Sequence, residues 1–219
     1  MSYDAVVFDN DGVLVGRTSF DALRGATETA LAQFNVHDPD PEDVEAIAAG
    51  ADPADVDDIT TRYDIDPEMF WRIRDRAATI AQREEVHEGR KTLYDDPDAL
   101  DDIDLPMGIV SSNQQETVDF ILDHFDVRDR FVTAYGREPT IESLRLSKPN
   151  PHYVEKALDD LGVNNALFVG DNESDVQAAH NTGIDSAFIR RPHREDWYLN
   201  VEPTHDIDSL HDLSDICEA

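Results

Sequence analysis

The sequence predicts an α/β protein, with a doubly wound parallel sheet and an α-helical domain inserted after the first strand. Two observations support this fold class. Short apolar runs that contain β-branched residues alternate with helical patterns along most of the chain, which is typical of parallel strands joined by right-handed crossovers. Residues 17–91 interrupt this alternation, because they contain several helix starts and no strand-like run.

The predicted strands are short and apolar throughout, as expected for strands that are buried on both faces of a sheet. The first predicted strand, Ala5–Phe8, ends directly before Asp9. The other strands are predicted at Met107–Val110, Phe131–Ala134, Ala166–Val169 and Ser186–Ile189, and the helical patterns between them at Thr117–Phe125, Pro151–Leu161 and Asp175–Thr182. This order places all the strands in one parallel sheet.

Four helices are predicted in the inserted interval, roughly over residues 19–34, 41–49, 53–62 and 67–87. Three of them begin at an Asp-Pro pair, which supplies a capping side chain and then a proline suited to the first helical turn. A further pair, Asp96-Pro97, is predicted to cap a helix where the sheet region resumes. We therefore predict an α/β core domain formed by residues 1–16 and 92–219 and an inserted helical domain formed by residues 17–91.

The chain is strongly acidic, with 49 acidic residues against 18 basic ones and a formal net charge of −31 at pH 7. Such a surface repels nucleic acid and anionic membranes, so we expect neither as a partner. High salt screens the self-repulsion of so large a charge. The composition resembles that of cytoplasmic proteins of extreme halophiles, such as haloarchaeal proteins.

Three features of the sequence favour a cytoplasmic protein. No stretch approaches the roughly 20 apolar residues that cross a bilayer. The N-terminus lacks the basic and apolar pattern of a signal peptide. The single cysteine, Cys217, cannot form a disulfide within the chain, which is consistent with a reducing compartment.

Two carboxylates, Asp9 and Asp11, follow the first predicted strand, and Gly12 comes next. Reactive groups of open α/β sheets collect beyond the carboxyl ends of the strands, and residues two apart on an extended chain point to the same side. One carboxylate can attack phosphorus, and the other can protonate the leaving oxygen and then activate water. A polar turn is the alternative. A calcium loop is excluded, because Val7 and Thr18 would occupy two positions that need carboxylates.

Two later segments carry groups that suit a phosphate. Ser111, Ser112 and Asn113 follow the second predicted strand, where a hydroxyl and free backbone N–H groups at a helix start can bind a phosphate oxygen. An ordinary helix cap is the alternative for these residues. Lys148 lies beside prolines and is one of three lysines in the chain, and its ammonium can neutralise a nucleophile and a phosphoryl group. A solvent-facing lysine is the alternative there.

A fourth segment suits a metal ion. Asp171 ends the fourth predicted strand, and Asp175 lies one helical turn further on. Magnesium prefers oxygen ligands and pairs naturally with phosphate, although acids at a helix start also favour the helix dipole. Asn172 is suited to cap the helix while the aspartates bind metal. Together the four segments would bring a nucleophile, hydroxyl groups, an ammonium and metal ligands to one edge of the sheet.

At residues 9–14, 111, 148 and 170–175 the sequence resembles the four motifs of the haloacid dehalogenase-like hydrolase superfamily, and the resemblance covers nearly the whole chain. It implies that Mg²⁺ is bound by the carboxylates of Asp9 and Asp171 and by the backbone carbonyl of Asp11. It also implies that Asp175 and Asn172 hold these ligands in place without binding the ion themselves. It also implies that the inserted helices form a cap, which closes over the site and selects the substrate.

Within that superfamily, Asp11 favours phosphoryl chemistry, because the dehalogenases lack the second aspartate. Residues 15–21 lack the histidine of similar sugar-phosphate mutases, and only Lys91 is available as the cap lysine that phosphonate hydrolases need. We therefore predict a phosphatase similar to phosphoglycolate phosphatases, which acts on a small phosphorylated metabolite through an aspartyl-phosphate. A phosphomutase, a phosphonate hydrolase and a non-catalytic phosphate-binding protein are the alternatives. The physiological substrate and the oligomeric state cannot be read from the sequence.

Two groups of basic residues are not explained by these motifs. Arginines are frequent in and beside the predicted cap, and some could bind a second anionic group of a substrate, although a helix-surface charge is the simpler interpretation. The cluster at residues 190–194 stands out in so acidic a chain. Pairing with nearby surface acids would explain this cluster equally well.

Overall fold

The computed structural model describes residues 3–218, and the side chains of residues 3–217. The chain divides into two compact units. The first, which we call the sheet unit, consists of the described residues up to Gly16, Thr92–Gly136 and the described residues from Leu146 onward. The second, which we call the helical unit, consists of Arg17–Lys91 and Arg137–Arg145.

The sheet unit is built on six strands in the order β3-β2-β1-β4-β5-β6. They are β1 Ala5–Phe8, β2 Met107–Gln114, β3 Thr133–Arg137, β4 Ala166–Gly170, β5 Asp185–Ile189 and β6 His205–Ile207. From β2 through β1, β4 and β5 to β6, each neighbouring pair is parallel. The chain order reverses direction between β1 and β4, which makes this the switch point of the sheet. The predicted doubly wound parallel sheet is confirmed.

The helices of both units are numbered in the order in which they occur along the chain. The α-helices are α1 Phe20–Ala32, α2 Pro41–Gly50, α3 Pro53–Arg62, α4 Pro67–His87, α5 Gln115–His124, α6 Ile141–Arg145, α7 His152–Leu161, α8 Glu173–Thr182 and α9 Asp212–Glu218. Short 3₁₀ helices lie at Pro97–Asp102, Arg128–Arg130 and Pro192–Arg194. In residues 3–218, no helix is both long enough and apolar enough to cross a membrane.

The central strands are apolar along their whole length because both faces of the sheet are covered. In β1, Val6 and Phe8 pack into one hydrophobic cluster, whereas Ala5 and Val7 pack into another. Since side chains alternate between the faces of a strand, the two clusters lie on opposite faces of the sheet. Every residue of β1 and β4 is buried, which holds the carboxyl ends of these two strands in fixed positions.

In the helical unit, the three predicted Asp-Pro starts are confirmed, since Asp40, Asp52 and Asp66 each accept hydrogen bonds from N–H groups of the first helical turn. The segment Arg137–Arg145, which the sequence assigned to the core domain, also packs in this unit. Arg137 forms a two-pronged ion pair with Asp75 on α4, with Nη2 lying 2.6 Å from Oδ1. Both side chains are buried. Because the two residues are 62 positions apart, no local sequence pattern predicts that they pair.

The structure corrects several details of the prediction. Strand β2 continues to Gln114, β3 begins two residues later than expected, and the short elements β6 and α9 were not predicted. Asp96 does not cap the 3₁₀ helix that follows it. Its carboxylate instead binds the guanidinium of Arg191 at 2.8 Å, the Ser209 hydroxyl and the backbone N–H of Leu210. These partners lie about a hundred residues away, so long-range contacts override the local capping preference.

The buried pair of Asp96 and Arg191 leads to a prediction about stability. Burial raises the pKa of Asp96, but Arg191 and the hydrogen bonds from Leu210 and Ser209 outweigh burial and hold it below its usual range. Such a group stabilises the fold above its unfolded pKa of about 4, and this stabilisation is lost as the pH falls through the lower folded pKa. We expect Asp96→Asn to lower the free energy of unfolding at pH 7 by about 3 kcal/mol, because Arg191 keeps no buried counter-charge.

Urea unfolding in molar KCl at pH 7 and at pH 3 measures this effect, and the difference between wild type and Asp96→Asn should shrink at the lower pH. Asp98→Asn is the matched control, because the Asp98 side chain is 74% exposed and its Oδ1 lies 3.8 Å from Nε2 of the half-exposed His211. An equal loss in both variants, or a difference that does not change with pH, would contradict the prediction.

Candidate active site

Asp9 lies at the carboxyl end of β1, at the switch point of the sheet. Its backbone N–H donates to the carbonyl of Val169 on β4 at 2.8 Å, so the residue continues the strand pairing. Its Oδ1 accepts the N–H of Asn10 at 2.7 Å and lies 2.9 Å from Nζ of Lys148. The side chain is only 12% exposed. The carboxylate is therefore held in one orientation.

Lys148 is a buried lysine that joins two carboxylates. Besides the contact with Asp9, its Nζ lies 2.6 Å from Oδ1 of Asp175 and donates to the carbonyl of Val110 at 3.2 Å. The side chain is 3% exposed, so the alternative of a solvent-facing lysine is wrong. Three oxygen partners can use all three N–H groups of the ammonium.

Asp171 joins this pair of carboxylates. Asp9, Asp171 and Asp175 each offer an oxygen, and these oxygens lie within 4.8 Å of one another. Three like charges so close together repel strongly, and the attraction of Lys148 acts on Asp9 and Asp175. A set of carboxylate oxygens is what hard divalent cations such as Mg²⁺ prefer, so the residues present fit such an ion.

The pKa shifts follow from this crowding of charge. Burial raises the pKa of Asp9, Lys148 opposes the shift, and the carboxylates of Asp175 and Asp171 add to it. Burial would lower the pKa of Lys148, but Asp175 and Asp9 raise it above its ordinary value. These carboxylates thus disfavour a further negative charge on Asp9, and a further cation would favour the ionised form of Asp9.

Two glycines allow the loops at this edge to pack closely. Gly12 has a φ of +86°, and a Cβ at this position would lie 2.5 Å from the carboxyl carbon of Asp171. A Cβ at Gly170 would lie 2.2 Å from Cβ of Asp175. The loop after β1 can therefore approach the acidic cluster only with glycine at position 12.

Asp11 is held from the neighbouring strand β2. The side-chain amide of Asn113 donates to Oδ2 of Asp11 at 2.8 Å, and the backbone N–H of Asn113 donates to the hydroxyl of Ser111 at 3.2 Å. The sequence had assigned Asn113 to phosphate, whereas here it orients a carboxyl group. Ser111 is buried and Ser112 is exposed.

The alternative of an ordinary helix cap is wrong for these three residues of β2. The strand continues through Gln114, and it is Gln114 that precedes α5, without a capping side-chain hydrogen bond. The expected free N–H groups at a helix start are also partly used, because the N–H of Gln114 donates to Oδ1 of Asn113 at 2.9 Å.

Asp175 serves two purposes at the start of α8. Its Oδ2 accepts the backbone N–H of Asn172 at 2.9 Å, while the side chain of Asn172 accepts the N–H of Ser174 at 3.3 Å. The helix-cap interpretation of Asn172 is therefore confirmed. Because the other oxygen of Asp175 binds Lys148, the cap also fixes the position of the ammonium.

The sequence did not place the cluster at residues 190–194 beside this site. Arg190 pairs with the partly exposed Asp206, as the surface interpretation expects. His193, however, lies with Nε2 2.7 Å from Oδ2 of Asp171, and Nε of Arg194 donates to the carbonyl of Asp171 at 2.9 Å. One feature of the sequence could have predicted this position. The run of basic residues directly follows a predicted strand, and the carboxylates of the site also follow strands at that edge of the sheet.

Comparison with known proteins gives consistent matches. A family model described as haloacid dehalogenase-like hydrolase matches residues 6–189. Phosphoglycolate phosphatase from Rhodobacter capsulatus is 27% identical over 94% of each chain. Pyrophosphatase PpaX from Halalkalibacterium halodurans is 28% identical over 69% of this chain and 71% of that protein. The crystal structure of CbbY from Rhodobacter sphaeroides in complex with phosphate has a similar fold, with a TM-score of 0.69, 18% identity and 96% of each chain covered.

The close approach of Gly12 to Asp171 leads to a second prediction. We expect Gly12→Ala to lower the free energy of unfolding by about 1 kcal/mol because of the positive φ, and by on the order of 2 kcal/mol more because the new Cβ would collide with the Asp171 carboxyl group. We also expect this variant to be stabilised less by added Mg²⁺ than wild type is. Gly183→Ala is the matched control, because Gly183 has a φ of +81° and nothing within 4 Å of an added Cβ. Urea unfolding with and without Mg²⁺ measures both effects. Equal losses and equal responses to Mg²⁺ in the two variants would refute the prediction.

Proposed function

Since the chain belongs to the haloacid dehalogenase-like hydrolase family, we propose that it is a phosphatase that hydrolyses a small phosphomonoester through an aspartyl-phosphate on Asp9. The observation that carries this proposal is the contact of buried Lys148 with both Asp9 and Asp175, next to Asp171. Phosphoryl transfer from a phosphate dianion needs a nucleophile, a fixed positive charge and oxygen ligands for a cation. Side chains suited to these three tasks lie in one cluster.

In the first step, an oxygen of Asp9 attacks phosphorus and the bond from phosphorus to the leaving oxygen breaks. Within the described residues, the polar contacts of the Asp9 carboxylate fall on Oδ1, so we assign the attack to Oδ2. The protonated carboxyl of Asp11 gives its proton to the leaving oxygen, which departs as an alcohol. The hydrogen bond from Asn113 supports this role, because it holds the carboxyl of Asp11 in one orientation.

In the second step, the carboxylate of Asp11 takes a proton from water while the water oxygen attacks phosphorus. The bond between phosphorus and Oδ2 of Asp9 breaks, which releases inorganic phosphate and restores both carboxyl groups. The Asp11 side chain is partly exposed, so it can exchange protons with solvent between turnovers.

The other residues handle charge. Lys148 offsets the negative charge of Asp9 and of the transferring phosphoryl group. Asp9, the backbone carbonyl of Asp11 and Asp171 would hold Mg²⁺, which when bound offsets further charge on the phosphoryl oxygens. We assign the hydroxyl of Ser111, with Ser112, to the phosphate oxygens, because the Ser111 oxygen accepts the Asn113 N–H and keeps its own O–H to donate.

We propose a small phosphorylated metabolite as the substrate and the helical unit as the cap that selects it. The two relatives described above are named for phosphoglycolate and pyrophosphate, so both compounds belong in a substrate screen. We further propose a cytoplasmic, halophilic enzyme. The net charge of −31 and the single cysteine support this environment.

The chemical proposal is tested by a panel of phosphate esters, pyrophosphate and phosphonates, assayed with Mg²⁺ in molar KCl. We expect phosphate release by wild type, a loss of at least about 1,000-fold in kcat with Asp9→Asn and a loss of about 100-fold or more with Asp11→Asn. Asp4→Asn is the matched control, because Asp4 is an exposed aspartate just before the other end of β1. This variant should retain wild-type turnover.

Other outcomes of the panel would favour the alternatives. Turnover that survives Asp9→Asn would exclude the aspartyl-phosphate. Interconversion of sugar phosphates without release of phosphate would indicate a mutase, and phosphonate cleavage that depends on Lys91 would indicate a phosphonate hydrolase. Binding of phosphate esters by wild type without any turnover would indicate a non-catalytic protein.

The proposed adaptation to salt gives a separate prediction. Because screening weakens the mutual repulsion of surface carboxylates, we expect the melting temperature to rise by at least about 5 °C between 0.1 M and 2 M KCl. Sucrose at the same osmolality is the control, since it does not screen charge. Equal melting temperatures at the two salt concentrations, or an equal rise with sucrose, would argue against electrostatic adaptation.

A further inference from the structure

The segment formed by residues 190–194, which we call the basic turn, connects the end of β5 to the acidic cluster. Lys148 contacts Asp9 and Asp175, whereas Asp171 is contacted by two side chains of the basic turn, His193 and Arg194. The reaction steps proposed above use neither of these side chains. Their contacts with a carboxylate of the cluster therefore need a separate explanation.

His193 binds the carboxylate of Asp171 through a defined nitrogen. Its Nε2 lies 2.7 Å from Oδ2 of Asp171, and a carboxylate has only acceptors, so Nε2 carries a proton and donates it. The other ring nitrogen, Nδ1, lies 3.4 Å from the hydroxyl of Tyr94. The ring is thus contacted at both nitrogens, while 24% of the side chain remains exposed.

Arg194 fixes the backbone of the same residue. Its Nε donates to the carbonyl of Asp171 at 2.9 Å and lies 3.4 Å from Oδ2. The side chain is 6% exposed, and its guanidinium carbon lies 4.4 Å from the ring centroid of Trp197. Both the main chain and the side chain of Asp171 are therefore held by the basic turn.

Arg191 anchors the turn itself. Its guanidinium forms the two-pronged ion pair with Asp96, donates to the carbonyl of Val13 and lies 4.1 Å from the ring centroid of Tyr94. Val13 belongs to the loop that follows Asp11, so the turn is tied to that loop as well as to Asp171. These contacts make the turn a rigid support.

We propose that His193 is a positioning residue for the divalent cation. This proposal rests on the proposed function, because it presumes that a cation binds at Asp9 and Asp171. By binding Oδ2, His193 fixes the rotation of the Asp171 carboxylate and so the direction in which it offers an oxygen to the cation. Repulsion from Asp9 and Asp175 favours rotation of Asp171 away from the cluster, and the hydrogen bond opposes that rotation. Residues that orient a metal ligand in this way typically contribute about 10- to 100-fold to metal affinity.

Mg²⁺ binding to the full chain, measured by calorimetry in molar KCl, tests this role without relying on turnover. We expect His193→Leu to raise the Mg²⁺ Kd by about 10-fold or more. His193→Gln should restore affinity to within about 3-fold, because its amide N–H can donate from nearly the same position. His211→Leu, which removes a half-exposed histidine of the same unit, is the control and should leave the Kd unchanged.

A second readout separates positioning from chemistry. With a saturating amount of Mg²⁺, the kcat of His193→Leu should return to within about 3-fold of wild type, because the ring touches no reacting group. Circular dichroism checks the fold of each variant. If His193→Leu does not fold, His193→Asn, whose amide is too short to reach Asp171, takes its place with the same expectation.

The outcomes distinguish the two proposals. Wild type that binds no Mg²⁺ would overturn the metal in the proposed function, and with it the role of His193. Wild type that binds Mg²⁺ while His193→Leu binds equally well or more tightly would overturn only the positioning role. Equal weakening in His193→Leu and His193→Gln would also overturn it, since ring packing rather than the hydrogen bond would then be responsible.

Discussion

The buried ammonium of Lys148 is the group on which the rest of the candidate site depends. It contacts Asp9, which follows β1, and Asp175, which lies in the first turn of α8 after β4. Without a positive charge between them, these residues and Asp171 would be three buried carboxylates whose oxygens lie within 4.8 Å. Unpaired buried charges cost far more than any turn or capping preference contributes, so the loops at this edge are constrained to bring the lysine in.

The parallel sheet makes this arrangement achievable with short connections. Pairing of β1 with β4 brings Asp9 and Asp171, which follow these strands, to neighbouring strand ends at the switch point. Glycines at positions 12 and 170 then let the two loops approach to distances that a Cβ would prevent. The flanking strands add their own side chains, with Asn113 of β2 holding Asp11 and the basic turn after β5 holding Asp171. Four adjacent strands thus contribute to one cluster, and each contribution depends on strand order rather than on local sequence.

Much of the fold could be predicted because its signals are local. The apolar runs of β1 and β4 reflect burial on both faces of the sheet, and the Asp-Pro pairs at positions 40, 52 and 66 reflect backbone groups that need a cap. The same reasoning gave a wrong result at Asp96, where the local pattern is identical but the carboxylate binds Arg191. It also assigned residues 137–145 to the sheet domain, because the pairing of Arg137 with Asp75 has no local pattern.

Taken alone, the sequence determined which residue types follow each strand: two aspartates after β1, hydroxyl and amide groups on β2, and aspartates after β4. Chemistry that needs these types in this order could be inferred, because strand ends of a parallel sheet lie at one edge. Only the tertiary structure decided the partners. It assigned Asn113 to Asp11, the ammonium of Lys148 to Asp9 and Asp175, and His193 to Asp171. A hydrogen bond or an ion pair depends on distances of a few ångströms between residues far apart in the chain, and such distances exist only once the sheet has set the positions of its loops.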